Sequence, residues 1–295
     1  MPERPDLDLY ATALERRLAG RPLRALRVTN PFLLRTTDPP PEAFAGRELL
    51  AVSRQAKRLV LEFEEEHYAA LHLMSAGRLH WREGDAGRPR RPDLLVLEGE
   101  TGSAVLTERA RKKRASLHLL RGSSALAALD PGGVEIVPDG FEAFAAALAR
   151  ENHTLKRALT DQRIVAGVGN AFSDEILWTA RLSPFRQTRS LEPGETAALF
   201  FAALSVLEDW TARLAREAGD AFPTYGGPFR EGTAVHGRAG APCPRCAAPV
   251  QRIVRGDRET NYCARCQTGG RILADRALSR LLHDAWPRRI EDLEG

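Results

Sequence analysis

Cys243-Pro244-Arg245-Cys246 and, after a gap of sixteen residues, Cys263-Ala264-Arg265-Cys266 decide how the C-terminal part of this chain folds. The spacing is C-x2-C-x16-C-x2-C. A tetrahedral Zn²⁺ needs four thiolates converging on one point, and two tight CxxC turns joined by a short hairpin deliver them. Between the pairs, Val250, Ile253 and Val254 and then Tyr262 supply two short strands, with Arg252, Arg255 and Arg258 around the turn. A metal-stapled hairpin with an arginine-bearing tip suits phosphates or a nucleic-acid groove. Two disulfides are the alternative use of four cysteines. The opening MPERPDLDLY has no apolar signal core, and every cysteine belongs to this one pattern. One structural Zn²⁺ per chain and a reducing, cytoplasmic setting are therefore expected.

The length of 295 residues allows two domains of ordinary size. No stretch approaches the ~20 apolar residues that span a bilayer, so no membrane partner is expected. Net charge is only +4, which does not by itself require a polyanion. Its distribution is more telling. Arg109, Arg111, Lys112, Lys113 and Arg114 form a dense cationic run, whereas the acidic run Glu64–Glu66 lies elsewhere. Local patches set the field that a phosphate backbone feels.

Residues 6–19 read as a helix capped by Asp6, with Leu7, Tyr10, Leu14 and Leu18 at helical spacing and Gly20 and Pro22 as its stop. From 23 to 138, short apolar runs (59–61, 69–73, 94–97, 117–120) separated by Gly, Pro and charged turns predict a β-sandwich or barrel. Pro138-Asp139-Gly140 reads as a boundary. Helices are expected at 141–150, 155–164, 171–181 and 193–217, the last with Leu199, Ala203, Val206, Trp210 and Leu214 on one stripe. A loop is expected at 219–240. A last helix is expected at 271–287, with Ile272, Leu278, Leu281, Leu282 and Trp286 available to dock.

Two further segments carry chemistry. Gly167-Val168-Gly169-Asn170 precedes a helix, with Asn170 near its N-cap. Free backbone N–H groups and the positive end of the dipole suit a phosphate there, although a plain tight turn fits the same four residues. Pro2 follows Met1 directly. Removal of Met1 would leave a secondary α-amine, and an α-amine titrates near ~8 against ~10.4 for lysine. Such an amine can attack a sugar C1′ and form an iminium, which acidifies the C2′ proton and opens the way to phosphate elimination. Glu3 stands ready to move a proton. An inert, frayed terminus is the common alternative for such a start.

Together these residues resemble the formamidopyrimidine-DNA glycosylase and endonuclease VIII family of base-excision repair enzymes, over nearly the whole chain. The opening MPERPDLDLY is similar to that family's start, and Ser53-Arg54-Gln55-Ala56-Lys57-Arg58-Leu59 to its hairpin lysine motif. Leu155-Lys156 through Asp161-Gln162, followed by GVGNAFSDEILW, resembles its helix–two-turn–helix module, and Asp257 through Cys263 the tip of its zinc finger. The resemblance implies an α+β multidomain fold. Residues 1–138 would be an N-terminal helix plus β-sandwich, 139–236 a helical helix–two-turn–helix domain, 237–270 a four-cysteine zinc-finger β-hairpin and 271–295 a C-terminal helical extension. It implies Pro2 as nucleophile, Glu3 as acid/base and Lys57 as a second catalytic group. Lys156, Asn170 and Arg258 would hold phosphates around a flipped nucleotide. The substrate would be damaged double-stranded DNA, with single-stranded or abasic DNA as further candidates. The protein would be a monomer, nucleoid-associated when bound.

The chain departs from the family at the loops that fill the void left by the flipped base. Ser75, not Met74, falls at the usual Met position, and the loop 107–114 has no Phe. Arg109 and Arg111 could instead grip phosphates or an unpaired base. The stretch 217–237 is short for a flap over an oxidised purine, which tips the preference toward that of endonuclease VIII. These departures keep a second reading open, a catalytically silent binder of damaged or branched DNA. A zinc-ribbon RNA-binding protein would leave the MPE start and Lys57 unexplained.

Overall fold

The computed structural model describes residues 1–84, 90–224, 231–256, 258–275, 279–281, 283 and 286–293. The chain forms two compact units, Met1–Pro131 with Asp209–Tyr225, and Gly132–Glu208 with Gly226–Gly295.

In the first unit, helix α1 spans Arg4–Leu18. It starts earlier than the sequence suggests. Its N-cap is Glu3, and Asp6 sits in the first turn, where its carboxylate accepts the Glu3 N–H at 2.9 Å. Pro5 explains the shift: a first-turn residue needs no N–H donor, so proline is tolerated inside the helix start. Leu7, Tyr10, Leu14 and Leu18 are buried, as their spacing predicts.

The strands are β1 (Ala25–Val28), β2 (Leu49–Gln55), β3 (Arg58–Phe63), β4 (His67–His72), β5 (Gly77–Glu83), β6 (Asp93–Glu98), β7 (Gly102–Glu108) and β8 (Ser116–Arg121). They make two antiparallel sheets, ordered β1-β6-β7-β5 and β2-β3-β4-β8. Leu59, Leu61, Phe63, Leu71, Leu117 and Leu119 of one sheet share a core with Leu26, Leu79, Leu95, Leu97 and Leu106 of the other and with α1. The apolar runs are continuous rather than alternating because the outer faces are covered too. Val60, Tyr68, Ala70 and Leu120 lie under Ala125 and Leu126 of helix α2 (Ser123–Ala127) and under Leu129. The β region ends at Arg121 rather than 138.

Lys57 occupies the two-residue turn between β2 and β3, beside Ala56 in the left-handed region (φ 50°) that such turns use. Arg54 fixes this turn to α1. Its Nε donates to Asp8 Oδ1 at 2.9 Å and its Nη1 to the Ala56 carbonyl at 3.0 Å.

The second unit contains α3 (Phe141–Arg150), α4 (Leu155–Thr160), α5 (Asn170–Thr179) and the start of α6 (Pro193–Ala218). Helix α4 stops short of 164 because Asp161 takes the N–H of Arg163 on its own carboxylate (3.0 Å), a local turn that competes with the helix. Asn170 is the first helical residue and Gly169 the cap. Strands β9 (Gln251–Arg255) and β10 (Arg258–Tyr262) pair in antiparallel register, followed by α7 (Ala264–Thr268). Arg252 lies within β9 rather than in the turn, and Asp257 lies outside the described residues, as does 225–230 of the expected loop. Within the expected helix 271–287, residues 279–281 are helical but 271–275 are not. Instead Arg271 bridges antiparallel to Arg289, ahead of a 3-10 turn at Ile290–Leu293. Ile272 is buried and Trp286 half-buried, but Leu281 is exposed, while Leu278 and Leu282 lie outside the described residues.

Asp8→Ala removes the acceptor of the Arg54 Nε–H and is expected to cost about 1 kcal/mol. A urea-unfolding double-mutant cycle with Arg54→Ala measures that coupling.

Candidate active site and zinc centre

In the first unit, Pro2 and Glu3 lead into α1 and are both buried, while Met1 is exposed. Lys57 is buried as well, at 9% exposure. His72 connects them. It ends β4 opposite Ser116, and Arg58 next to Lys57 faces it across β3 and β4 by register. Burial pulls its pKa down to about 4, and the positive charges of Arg58, Lys57, His118 and the chain's amino terminus push the same way. The chain start, Lys57 and His72 are thus brought within electrostatic reach of one another. The imidazole is neutral at pH 7, and its Nδ1 accepts the Met74 N–H at 3.0 Å.

That bond belongs to a tight loop. The Gly77 N–H donates to the Leu73 carbonyl (3.0 Å), and a Cβ on Gly77 would lie 2.2 Å from that oxygen. Met74 is left-handed (φ 54°) and half-buried, whereas Ser75 is exposed. The β7–β8 loop wraps round the buried Glu108, whose carboxylate accepts the N–H groups of Arg114 (3.0 Å) and Ala115 (3.2 Å). Lys113 Nζ turns inward to the Glu108 and Ala110 carbonyls. Arg109 and Arg111 remain exposed.

In the second unit, Lys156 is not a surface lysine. Its ammonium donates to Asp174 Oδ1 at 2.5 Å and to the Asn170 carbonyl at 2.7 Å. Asp174 Oδ2 accepts from His236 Nδ1 at 2.8 Å and from the Asn261 N–H at 3.1 Å. Next to it, Glu175 takes the N–H groups of Ala234, Val235 and His236 at 2.7–3.0 Å. Burial still pushes Glu175 up, against those three donors. The turn before α5 is held by Gln162, which accepts the Gly167 N–H and donates to the Val168 carbonyl, both at 2.8 Å. Asn170 is half-buried and Arg258 exposed. Sequence reasoning missed His72, Asp174, Glu175 and His236. An Asp-Glu pair inside an otherwise apolar helix was the available signal for two of them.

The four cysteine sulfurs lie within 4.8 Å of one another, with Cys243–Cys266 at 4.0 Å and Cys246–Cys263 at 3.4 Å. Tetrahedral bonds of ~2.3 Å put sulfurs ~3.8 Å apart, so the set fits Zn²⁺ and all four are free thiols. Trp178 Nε1 donates to Cys243 Sγ at 3.3 Å, and the Arg245 guanidinium lies 4.0 Å from the centre of the indole. Burial works against ionisation of Cys243, but the indole and two backbone N–H groups outweigh it and bring the thiol to about 6. Burial pushes Cys263 up. A cation would let all four ionise together.

The first unit thus holds a β-sandwich with Pro2 and Glu3 buried, and the second a tight glycine turn before α5 and a four-cysteine hairpin that suits zinc. Sequence models match in the same order: the formamidopyrimidine-DNA glycosylase N-terminal domain over 1–116, its H2TH domain over 133–215, and a zinc finger found in FPG and IleRS over 240–269. A formamidopyrimidine-DNA glycosylase of Herpetosiphon aurantiacus is 33% identical over 275 residues, covering 90% of this chain and all of the relative. That of Chloroflexus aggregans is 34% identical over 277 residues, covering 90% and 98%. The fold matches Lactococcus lactis Fpg, crystallised with DNA containing an abasic site, at TM-score 0.78 and 24% identity over 90% of this chain and 99% of that one. The chain belongs to the formamidopyrimidine-DNA glycosylase family. It is a base-excision repair DNA glycosylase with the AP lyase activity of that family, and its finger suits one structural zinc.

Trp178→Phe removes the bond to Cys243. Zinc affinity should fall about 10- to 100-fold, read by competition with a chromogenic chelator.

His72 binds fewer protons folded than unfolded, so its contribution to stability is complete above pH 6.5 and is lost as pH falls toward 4. His72→Gln should flatten the fall in melting temperature across that window, measured by a pH series of thermal melts.

Proposed function

We propose that Pro2 is the nucleophile, Glu3 its proton carrier and Lys57 the assisting cation, acting on a damaged base flipped out of duplex DNA. The observation that carries this reading is that Pro2, Glu3 and Lys57 are all buried, with Lys57 in a turn that Arg54 ties to the helix Pro2 and Glu3 lead into. After loss of Met1, the Pro2 nitrogen attacks C1′, the glycosidic bond breaks, and the base leaves with a proton. Glu3 delivers a proton to O4′ as the sugar opens to the iminium. That cation acidifies C2′, whose proton passes to the Glu3 carboxylate as the 3′ phosphate departs by β-elimination; δ-elimination of the 5′ phosphate can follow. Water then hydrolyses the imine and frees Pro2. Extrusion of the base costs a few kcal/mol, offset by groups that hold the strained backbone: Lys156, Asn170 and Arg258, with Arg109 and Arg111 on the exposed loop.

In this reading, 1–138 is the catalytic domain, 139–236 the DNA-binding helical domain, 237–270 the zinc finger and 271–295 an extension. The protein works as a monomer in the cytoplasm, on the nucleoid when bound. Among the described residues no helix is long and apolar enough to cross a membrane.

Borohydride reduction of the protein on abasic duplex should yield a covalent adduct on residue 2. Glu3→Gln should slow base release by about 10²- to 10⁴-fold, and Pro2→Gly should slow trapping at least about tenfold. Wild-type trapping by Pro2→Gly with a correctly processed terminus would remove the mechanism. Binding of lesion DNA without any nicking would favour the silent-binder reading instead.

A further inference from the structure

The zinc-finger family model ends at residue 269, yet the chain beyond it takes part in the finger. Ile272, Leu273 and Ile290 are buried with Val250, Ile253 and Tyr262 in one cluster. The tail doubles back on itself, with the Ile272 N–H on the Arg288 carbonyl and the Ile290 N–H on the Gly270 carbonyl, both at 2.8 Å. It also grips both strands of the hairpin. The Leu273 N–H donates to the Tyr262 hydroxyl on β10 at 2.7 Å. Asp275 Oδ2 accepts the Val254 N–H on β9 at 2.9 Å.

The second contact is placed where it counts. Val254 immediately precedes Arg255, which pairs with Arg258 across the hairpin. The Val254 N–H is not spent on β10; it is an outward edge donor, and Asp275, only 2% exposed, occupies it. An isolated two-stranded hairpin is marginally stable in water. The cysteine cluster that suits zinc, Cys243, Cys246, Cys263 and Cys266, lies at the opposite end of the hairpin. Arg258 and Cys263 stand at opposite ends of β10, so the cluster holds the base of the hairpin and not its tip.

We propose that residues 271–275 and 288–290 are a brace, with Asp275 as its positioning residue, which holds the Arg258-bearing hairpin in the conformation that grips DNA phosphate. This deepens the phosphate role proposed above for Arg258 and rests on it. The brace acts on affinity, not on chemistry. A flexible tip must be ordered on binding, and that ordering subtracts from the affinity; a braced tip meets the phosphate already ordered.

The test uses the full-length zinc-loaded protein and a duplex bearing a tetrahydrofuran abasic analogue. Asp275→Ala should keep one zinc per chain, weaken duplex binding on the order of tenfold, as loss of one such hydrogen bond implies, and leave single-turnover borohydride trapping at saturating abasic DNA unchanged. Hydrogen exchange of the Val254 amide should lose its protection in the absence of DNA. Asp275→Asn retains an acceptor and should restore both affinity and protection. Unchanged Val254 protection in Asp275→Ala, or unchanged affinity, overturns the brace. Arg258→Ala separates the two ideas. If it binds the duplex as wild type does, the phosphate role fails; if it weakens binding while Asp275→Ala does not, only the brace fails.

Discussion

The second unit is organised around one buried carboxylate. Asp174 accepts from a lysine on α4, a histidine from the 233–236 segment and a backbone N–H of β10. A carboxylate buried alone would be strongly disfavoured, and removing a single partner from a buried ion pair typically costs about 3–5 kcal/mol. The three partners therefore cannot move independently. Glu175 repeats the device one residue on, with three successive backbone N–H groups of the same segment. Stretches of chain far apart in sequence are tied to one turn of α5. The helix start at Asn170, the ammonium of Lys156 and the root of the arginine hairpin consequently share a fixed geometry.

The first unit shows the reverse electrostatics. Lys57, Arg58, His118 and the amino terminus all act on His72, and burial adds to their effect. Crowding like charge costs stability, and here it helps keep the His72 imidazole neutral. Such a region is receptive to an anion, and perturbed titration is concentrated at functional sites more often than elsewhere. The hairpin that delivers Lys57 is anchored to α1 through Arg54 and Asp8, so the lysine and the proline are set by the same helix.

The metal centre joins the two kinds of argument. Its sulfurs are preset at tetrahedral separations, and its environment is not symmetric: an indole N–H serves one thiol while burial dominates another. The tail completes the apolar side of the module with Ile272, Leu273 and Ile290. A hairpin this small could not bury these side chains from its own two strands.

Cysteine spacing, the apolar runs of the sandwich and the residues around Pro2, Lys57 and GVGN were all legible along the chain, because each is a local pattern tied to a period, a turn or a ligand count. Helix limits were less so. Glu3 displaced Asp6 as the cap of α1, and Asp161 ended α4 early, each through a side-chain bond that periodicity does not register. The tail read as one helix from its apolar spacing; residues 279–281 are helical, but 271–275 are not and pack against the finger, where contact with Tyr262 outweighs local preference. Read alone, the chain specifies which chemical groups the protein has and the order in which it carries them. That Lys156 is held by Asp174 and that His72 stands among cations emerges only on folding, because a partner far along the chain, or across a sheet, is selected by burial and register rather than by neighbours in sequence.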